Sequence, residues 1–436
     1  MRHVRRRAIS LFLLCSIGIG LLISPKQIKA KAATTYVTRA KMIRMILNEL
    51  GIVTQETDTS NYITQAMEIG LITAKSFSDF ERPISKTETA VLLVRADEYL
   101  YGKTVDDSLV DKIIECRISD ISKIREVHRP YLAKAYALGY IMGSSNGTYS
   151  TNRKFNPTNK ITQKYADTLV SLIHNNENRH QISPDGQLIR TTKLPKMAEF
   201  YPYILASYPN SYYDWQFLFM RTKIGDELVY GTDKWVSKVN YAAPVDFGDY
   251  KNGEKVFYYY YGREKLTAKE LLNECIDSWG KNAQNYLECV FNFDYKTTTK
   301  DKAWMEKLLS ADFNGVNDKE QTSKLIEEYF EAAIKNQTIV ESKIIAVDCS
   351  TLYISNGCLY LRAYVRYRVN SSKSMETVKK SPIIFTRFWY PEFKDLQVGK
   401  WRDCYVNIEV SSGVPNYGIE SLCLNDFIYD NEVLLK

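Results

Sequence analysis

Apolar residues are spaced along this chain in several distinct ways, and each spacing predicts its own kind of structure. From Ala8 to Ser24 they run almost unbroken, after a start carrying Arg2, Arg5, Arg6 and Arg7 and before the small-residue pattern Ala30-Lys31-Ala32-Ala33. Basic start, apolar middle and small-residue end predict a secretory signal peptide over residues 1–33. At roughly 17 residues the apolar run is at the short edge of what spans a bilayer, so no retained transmembrane helix is expected. Cys15 follows Leu14 rather than a small residue, which argues against a lipoprotein.

Between Thr35 and His174 the spacing is helical. Tyr131 to Ile141 lines up with Tyr62 to Ile72, sharing Tyr62/Tyr131, Ala66/Ala135, Gly70/Gly139 and Ile72/Ile141. Each stretch predicts a short amphipathic helix ended by a glycine, which takes the left-handed cap conformation without steric cost. A second helix follows each, opening at Ile84-Ser85-Lys86-Thr87-Glu88 and at Ile161-Thr162-Gln163-Lys164-Tyr165. Ser85 and Thr162 stand where an N-cap belongs. A third copy of that helix start opens the mature chain as Val37-Thr38-Arg39-Ala40-Lys41, with Thr38 as its cap.

The remainder changes character again. Residues 176–192 are polar with the turn signal Pro184-Asp185-Gly186, which predicts a linker. Residues 196–262 are aromatic, as in Phe200-Tyr201-Pro202-Tyr203, Tyr212-Tyr213-Asp214-Trp215 and Phe257 to Tyr261. Such rings can stack on sugars, but packing against strands is the simpler expectation. Helices are expected from the capping box Thr267-Ala268-Lys269-Glu270 to Leu287, from Asp301 to Leu309, and from Asn317-Asp318-Lys319-Glu320 through Ala333. After Thr338 the period becomes two. Leu359, Leu361, Ala363, Val365, Tyr367 and Val369 share one face, and Arg362, Arg366 and Arg368 share the other, which is expected to be solvated. Asn356-Gly357 ahead of this run is a hairpin signal. Further strands fit Pro382 to Tyr390 and Tyr405 to Ser411, so residues 263–436 read as helices followed by an antiparallel meander. Cone-shaped folds such as NTF2 and cystatin offer an analogy of shape only.

Charge removes one class of partner. The formal charge is +7, but Arg2, Arg5, Arg6, Arg7, Lys26, Lys29 and Lys31 all lie in the leader, which holds no acid, so the mature chain is near neutral. No nucleic-acid partner is expected. Cys116, Cys275, Cys289, Cys349, Cys358, Cys404 and Cys423 form no C-x-x-C pair, so no metal site is expected. Export permits disulfides among them, while their odd number and irregular spacing favour buried thiols. The histidines are His3, His128, His174 and His180, which leaves none for nucleophile–histidine catalysis in the C-terminal region. No Gly-rich phosphate loop appears, and no cofactor is expected. Gly143-Ser144-Ser145-Asn146-Gly147 has the spacing of a nucleophile elbow but follows a helix and precedes a polar loop, the wrong context for one.

One set of landmarks is specific. Ile118-Ser119-Asp120-Ile121, Arg129-Pro130-Tyr131, the Gly139 helix, Gly143 to Tyr149, Phe155-Asn156-Pro157 and Ile161-Thr162 follow in order. This resembles the S-layer homology family, with its F-x-D-V opening, first helix, G-x-x-D-G-T-F loop, proline and I-T-R-A-E helix start. The resemblance covers residues 34–175 as about two and a half degenerate copies. It implies an all-α repeat module; with the helices and meander read beyond it, the expected fold is multidomain, that module followed by an α+β domain with an antiparallel sheet over residues 193–436. It further implies a secreted protein held at the cell wall by a secondary cell-wall polysaccharide, with an anion gripped at the helix starts. Carried over residue by residue, Thr38 and Arg39 match the motif while Lys41 replaces its glutamate. Ser85, Lys86 and Glu88 match conservatively. Of the third start only Thr162 matches, with Gln163 in place of arginine. The expected protein is not an enzyme, and the sequence names no ligand for its C-terminal region. The rival expectation is a wall glycan hydrolase using paired carboxylates, drawn from Glu270, Asp277, Glu327 and Glu328.

Overall fold

The computed structural model describes residues 35–52, 59–102, 105–196, 198, 201, 203–214, 268–298, 303–312, 319–355, 358–373 and 397–411, with short strands inside 220–266 and 425–433. The leader and the strand expected at Pro382 to Tyr390 lie outside these residues. No helix among the described residues is long and apolar enough to cross a membrane.

The N-terminal region is helical: α1 (Arg39–Glu49), α2 (Thr59–Glu68), α3 (Lys86–Tyr101), α4 (Asp107–Lys112), α5 (Arg129–Ala137) and α6 (Gln163–Ser171). A strand pair, β1 (Ser144–Ser145) with β2 (Arg153–Lys154), lies between the last two helices. The expected caps form. Thr38 Oγ1 accepts from the Lys41 N–H at 3.2 Å, Ser85 Oγ from Glu88 at 3.3 Å and Thr162 Oγ1 from Tyr165 at 3.4 Å. Gly70 and Gly139 follow α2 and α5 with φ of +74° and +77°. At Gly139 a Cβ would stand 2.2 Å from the His180 carbonyl oxygen, so the chain needs glycine there for space as well as for conformation. α3 buries Ala90, Leu92, Leu93, Val94 and Ala96 and is the central helix of this core.

Three short segments join these helices into a ring. The Val37 N–H donates to the Ile161 carbonyl at 2.9 Å, Ile161 to Ile84 at 3.3 Å, and Ile84 back to Val37 at 2.9 Å. The side chains of Val37, Ile84 and Ile161 close the centre and are at most 1% exposed. Each is the residue just before a cap, so one cycle of backbone bonds sets all three helix starts around a common axis.

A four-residue helix, α7 (Asn210–Tyr213), and the pairs β3 (Met220–Ile224) with β4 (Glu227–Gly231) and β6 (Tyr259–Tyr261) with β7 (Glu264–Leu266) surround β5 (Ala242–Pro244) in sequence. Then come α8 (Ala268–Val290), β8 (Phe293–Asp294), α9 (Ala303–Asp312), α10 (Lys319–Lys335), β9 (Ile339–Ser355), β10 (Cys358–Ser371), β11 (Arg402–Ser411), β12 (Asn425–Phe427) and β13 (Glu432–Val433). The main sheet is antiparallel in the order β12-β11-β10-β9-β5, with β13 also on β11 and β8 also on β9. Ser355 opposes Cys358, leaving Asn356 and Gly357 as the two-residue connection. The result is a mixed α+β architecture, as expected.

One face of β10 behaves as its period predicts. Leu361, Ala363, Val365, Tyr367 and Val369 are buried with Trp279, Tyr286, Leu287, Ile326 and Tyr329 of α8 and α10. The opposite face corrects the expectation of a solvated arginine stripe. Arg362 is 4% exposed and donates to the Tyr201 hydroxyl at 3.0 Å, and Tyr364 is 2% exposed. Only Arg366 and Arg368, farther along the strand, remain half-buried. The cover is built from Tyr201, Tyr208, Tyr212 and Tyr213, so packing accounts for these four rings.

The helical region reaches the same face. Tyr149, in the loop between β1 and β2, stacks on Tyr364 with ring centroids 3.6 Å apart and meets Tyr208 and Tyr212 edge-on. Its N–H donates to the Ser207 carbonyl at 2.8 Å. The polar stretch 176–192 is not solvated chain either. Ser183, Asp185 and Gln187 are buried, Arg117 pairs with Asp185 at 3.2 Å, and Ile182 and Leu188 pack on the helical core. Ser183 and the Gln187 amide nitrogen donate to Asp185, and the Gln187 N–H donates to Ser183 Oγ at 2.8 Å, so most of its polar groups are bonded within a tight turn and can be covered. Among the described residues Cys289 and Cys349 are buried free thiols and Cys116 is an exposed one.

Candidate functional site

The ring determines what stands beside each helix start. Arg39, the first residue of α1, reaches across to α3, where its Nη2 pairs with Glu88 Oε1. Its Nη1 donates to the Asp79 carbonyl at 2.7 Å, and its guanidinium lies 4.9 Å from the centre of the Phe77 ring. Glu88 is also the reciprocal half of the Ser85 capping box, accepting from the Ser85 N–H at 2.8 Å. Burial alone would raise the Glu88 carboxyl, but the Arg39 and Ser85 hydrogen bonds and the Arg39 charge outweigh it and hold the group below the usual carboxylate range. Arg39, Ser85 and Glu88 are thus one hydrogen-bonded cluster, while the Thr38 hydroxyl serves the α1 cap.

The other two starts are built differently. Lys86 occupies the Arg39 position on α3, but its ammonium donates to the Phe155 carbonyl at 2.9 Å and lies 5.5 Å from the Phe155 ring centre. Burial lowers its pKa, opposed by the Asp120 charge. Gln163 occupies the same position on α6 and donates to Asp167 at 2.7 Å, while Thr162 is confined to its cap. Tyr165 and Lys41 stand where Glu88 stands on α3, so neither of the other starts repeats the Arg39–Glu88 pair.

Free helix N–H groups were the expected anion cradle, and at two starts the chain uses them itself. Arg39 and Ala40 donate to the carbonyls of Arg82 and Phe80 at 3.1 and 2.9 Å, and Lys86 and Thr87 donate to those of Asn159 and Pro157 at 2.8 and 3.2 Å. The reason is the ring: the segment leading into one helix start lies across the N-terminus of the previous one. At the third start the equivalent positions are Thr35 and Ala33, and Ala33 lies outside the described residues.

Sequence reasoning passed over a residue that organises this region. Asp120 is 6% exposed and accepts the Phe155 and Asn156 N–H groups at 2.7 and 2.9 Å, fixing the segment that receives Lys86. Its signal was present in Ile118-Ser119-Asp120-Ile121, used only as a landmark. Elsewhere, Ser144 and Ser145 lie in a short strand pair with no helix following directly, which is not the setting of a nucleophile elbow. Of the candidate carboxylates, Glu327 and Glu328 are exposed on α10, and the side chains of Glu270 and Asp277 lie outside the description. Among the described residues no cluster of histidine, cysteine and acidic side chains is placed to hold a metal ion.

Neither the protein-family models, the curated proteins nor the solved structures match this chain.

Proposed function

We propose that residues 34–175 form an S-layer-homology-like anchor, and that the protein is secreted and held non-covalently at the cell wall by an anionic secondary cell-wall polysaccharide. Residues 193–436 are then a displayed domain without catalytic function. The observation that carries this reading is the closed backbone cycle through Val37, Ile84 and Ile161. It supports the reading because it turns three motif copies, far apart in sequence, into neighbouring helix starts. Recognition would fall to side chains, since the helix N–H groups at two starts are already bonded. Arg39 brings a guanidinium that pairs with Glu88 and the Asp79 carbonyl, and Lys86 a point charge bonded to the Phe155 carbonyl, so a wall carboxylate would share or displace those contacts.

The test is binding of the secreted protein to purified cell walls. A hydrogen bond to a charged group is worth about 1.5–3 kcal/mol, or roughly 10- to 150-fold in affinity. Arg39→Ala is expected to weaken binding within that range, Lys86→Ala less, and Gln163→Ala little. Circular dichroism must show each variant folded. Equal losses for Arg39→Ala and Gln163→Ala, or none for either, would remove the helix starts as the binding site. Denaturant is expected to strip the bound protein from the wall, and release only by wall-digesting enzymes would refute non-covalent attachment.

A further inference from the structure

A cleft of about 440 Å3 opens at the other end of α3, within the usual small-ligand range of about 300–1,000 Å3. α3 has 16 residues, so at 1.5 Å per residue the cleft lies roughly 24 Å from the Ser85 cap. Its floor is fixed and electrically balanced. Asp97 is 1% exposed, pairs with Arg179 at 2.8 Å and accepts from the Tyr140 hydroxyl at 2.9 Å. Arg179 spends its remaining donors on the carbonyls of Leu172 and Ile173 and on Tyr140. Neither floor charge is left over for a ligand.

The walls are different. Tyr101 is pinned by its hydroxyl to the Ile173 carbonyl at 3.2 Å, yet 43% of the residue is exposed, so a ring face is held in place. Asn176, Glu177, His180 and Gln181 also line the cleft. The side chains of Asn176, His180 and Gln181 make no hydrogen bond among the described residues, and no cation pairs with Glu177 there. Burial and the Arg153 charge hold the His180 imidazole below its ordinary range, so it is neutral near pH 7.

We infer that this cleft is a second binding site, for a neutral pyranose sugar. A pyranose has an apolar C–H face edged by hydroxyls. The C–H face carries partial positive charge and suits the negative face of Tyr101. The hydroxyls donate to the Glu177 carboxylate and exchange hydrogen bonds with the amides of Asn176 and Gln181. The uncompensated Glu177 charge disfavours an anionic sugar, which separates this cleft from the cationic helix starts. It does not depend on the wall-anchor reading.

The test is saturation-transfer NMR on the full secreted chain with cellobiose as the probe and digalacturonate as the charged comparison. Cellobiose is expected to receive saturation and digalacturonate much less. Tyr101→Ala is expected to weaken cellobiose binding about tenfold, by loss of the aromatic face, Tyr101→Phe to weaken it less, because the ring stays but loses its pin, and Arg39→Ala to leave it unchanged. Should Tyr101→Ala fail to fold, Gln181→Ala at an exposed position is read instead, with a several-fold loss expected. No transfer to cellobiose, transfer unchanged in both Tyr101→Ala and Gln181→Ala, transfer lost in Arg39→Ala, or equal transfer to digalacturonate would each overturn the inference.

Discussion

The helical region and the sheet region differ in where they place most of their charged side chains. In the helical region the ion pair Arg39–Glu88 sits at helix ends, part-buried and next to solvent. In the sheet region Asp348, Arg362 and Asp403 lie on the middle of a sheet face and are at most 6% exposed. The difference follows from the elements. A helix bonds its own backbone internally, so its polar side chains can collect at the ends and on the outer face. A sheet has two faces, and here helices cover one while a tyrosine-rich segment covers the other. Tyrosine suits that second layer because its ring buries area while its hydroxyl reaches a polar partner, as Tyr208 does with the Val347 carbonyl at 3.1 Å.

The contrast is most exposed to test where the helical region does bury a charge. Asp120→Ala removes two hydrogen bonds to a carboxylate, worth about 1.5–3 kcal/mol each. Urea denaturation is expected to show a loss of about 3–6 kcal/mol. A loss under about 1 kcal/mol, the scale of an ordinary hydrogen bond, would mean that the Phe155 segment holds itself.

Next in size is the joint between the regions. Tyr149→Ala is expected to destabilise by about 3–5 kcal/mol, as truncation of a buried aromatic does. If the regions are coupled through this ring, the variant is also expected to split unfolding into two steps. A small loss with one sharp transition would show that the joint lies elsewhere.

Asp348 sharpens the comparison through pH. Burial raises its carboxyl to about 7, only partly offset by the Ser350 and Tyr213 hydroxyls and the Ser350 amide. The folded state then binds this proton more tightly than the unfolded chain, so the contribution is present at low pH and is lost as pH rises from about 4 through about 7. Asp348→Asn is expected to flatten that slope and to be the more stable protein at pH 8, by an amount on the order of a few kcal/mol. Arg362 faces Asp348 across the strands. Were it holding Asp348 ionised, the substitution would instead destabilise at pH 8.

The smallest effects separate the helix starts from one another. Ser85→Ala breaks a reciprocal capping box that also positions Glu88, and a loss of about 1–2 kcal/mol is expected. Thr162→Ala removes a single cap bond and is expected to lose about 1 kcal/mol or less. Equal losses would mean that the Glu88 cluster adds nothing to the cap.

Much of this was legible in the sequence because it is local. Caps at Thr38, Ser85 and Thr162, left-handed glycines at 70 and 139, and the two-residue connection at Asn356-Gly357 follow from backbone preferences that act over a few residues. Helix faces and the apolar face of β10 follow from periodicity. The sequence also marked the seven candidate site residues, and three of them, Arg39, Ser85 and Glu88, form one cluster. It could not say that Arg39 would pair with Glu88, because the two are 49 positions apart and meet only through the ring. Nor could it say that the first helical N–H groups would be taken, since their acceptors come from segments about 40 to 70 positions away. The arginine face of β10 failed for the same reason. Alternation assigns residues to two faces, but whether the second face meets water depends on what else folds over it. Local physics fixed the elements and their caps, and long-range contacts decided which charges are paired and which are buried.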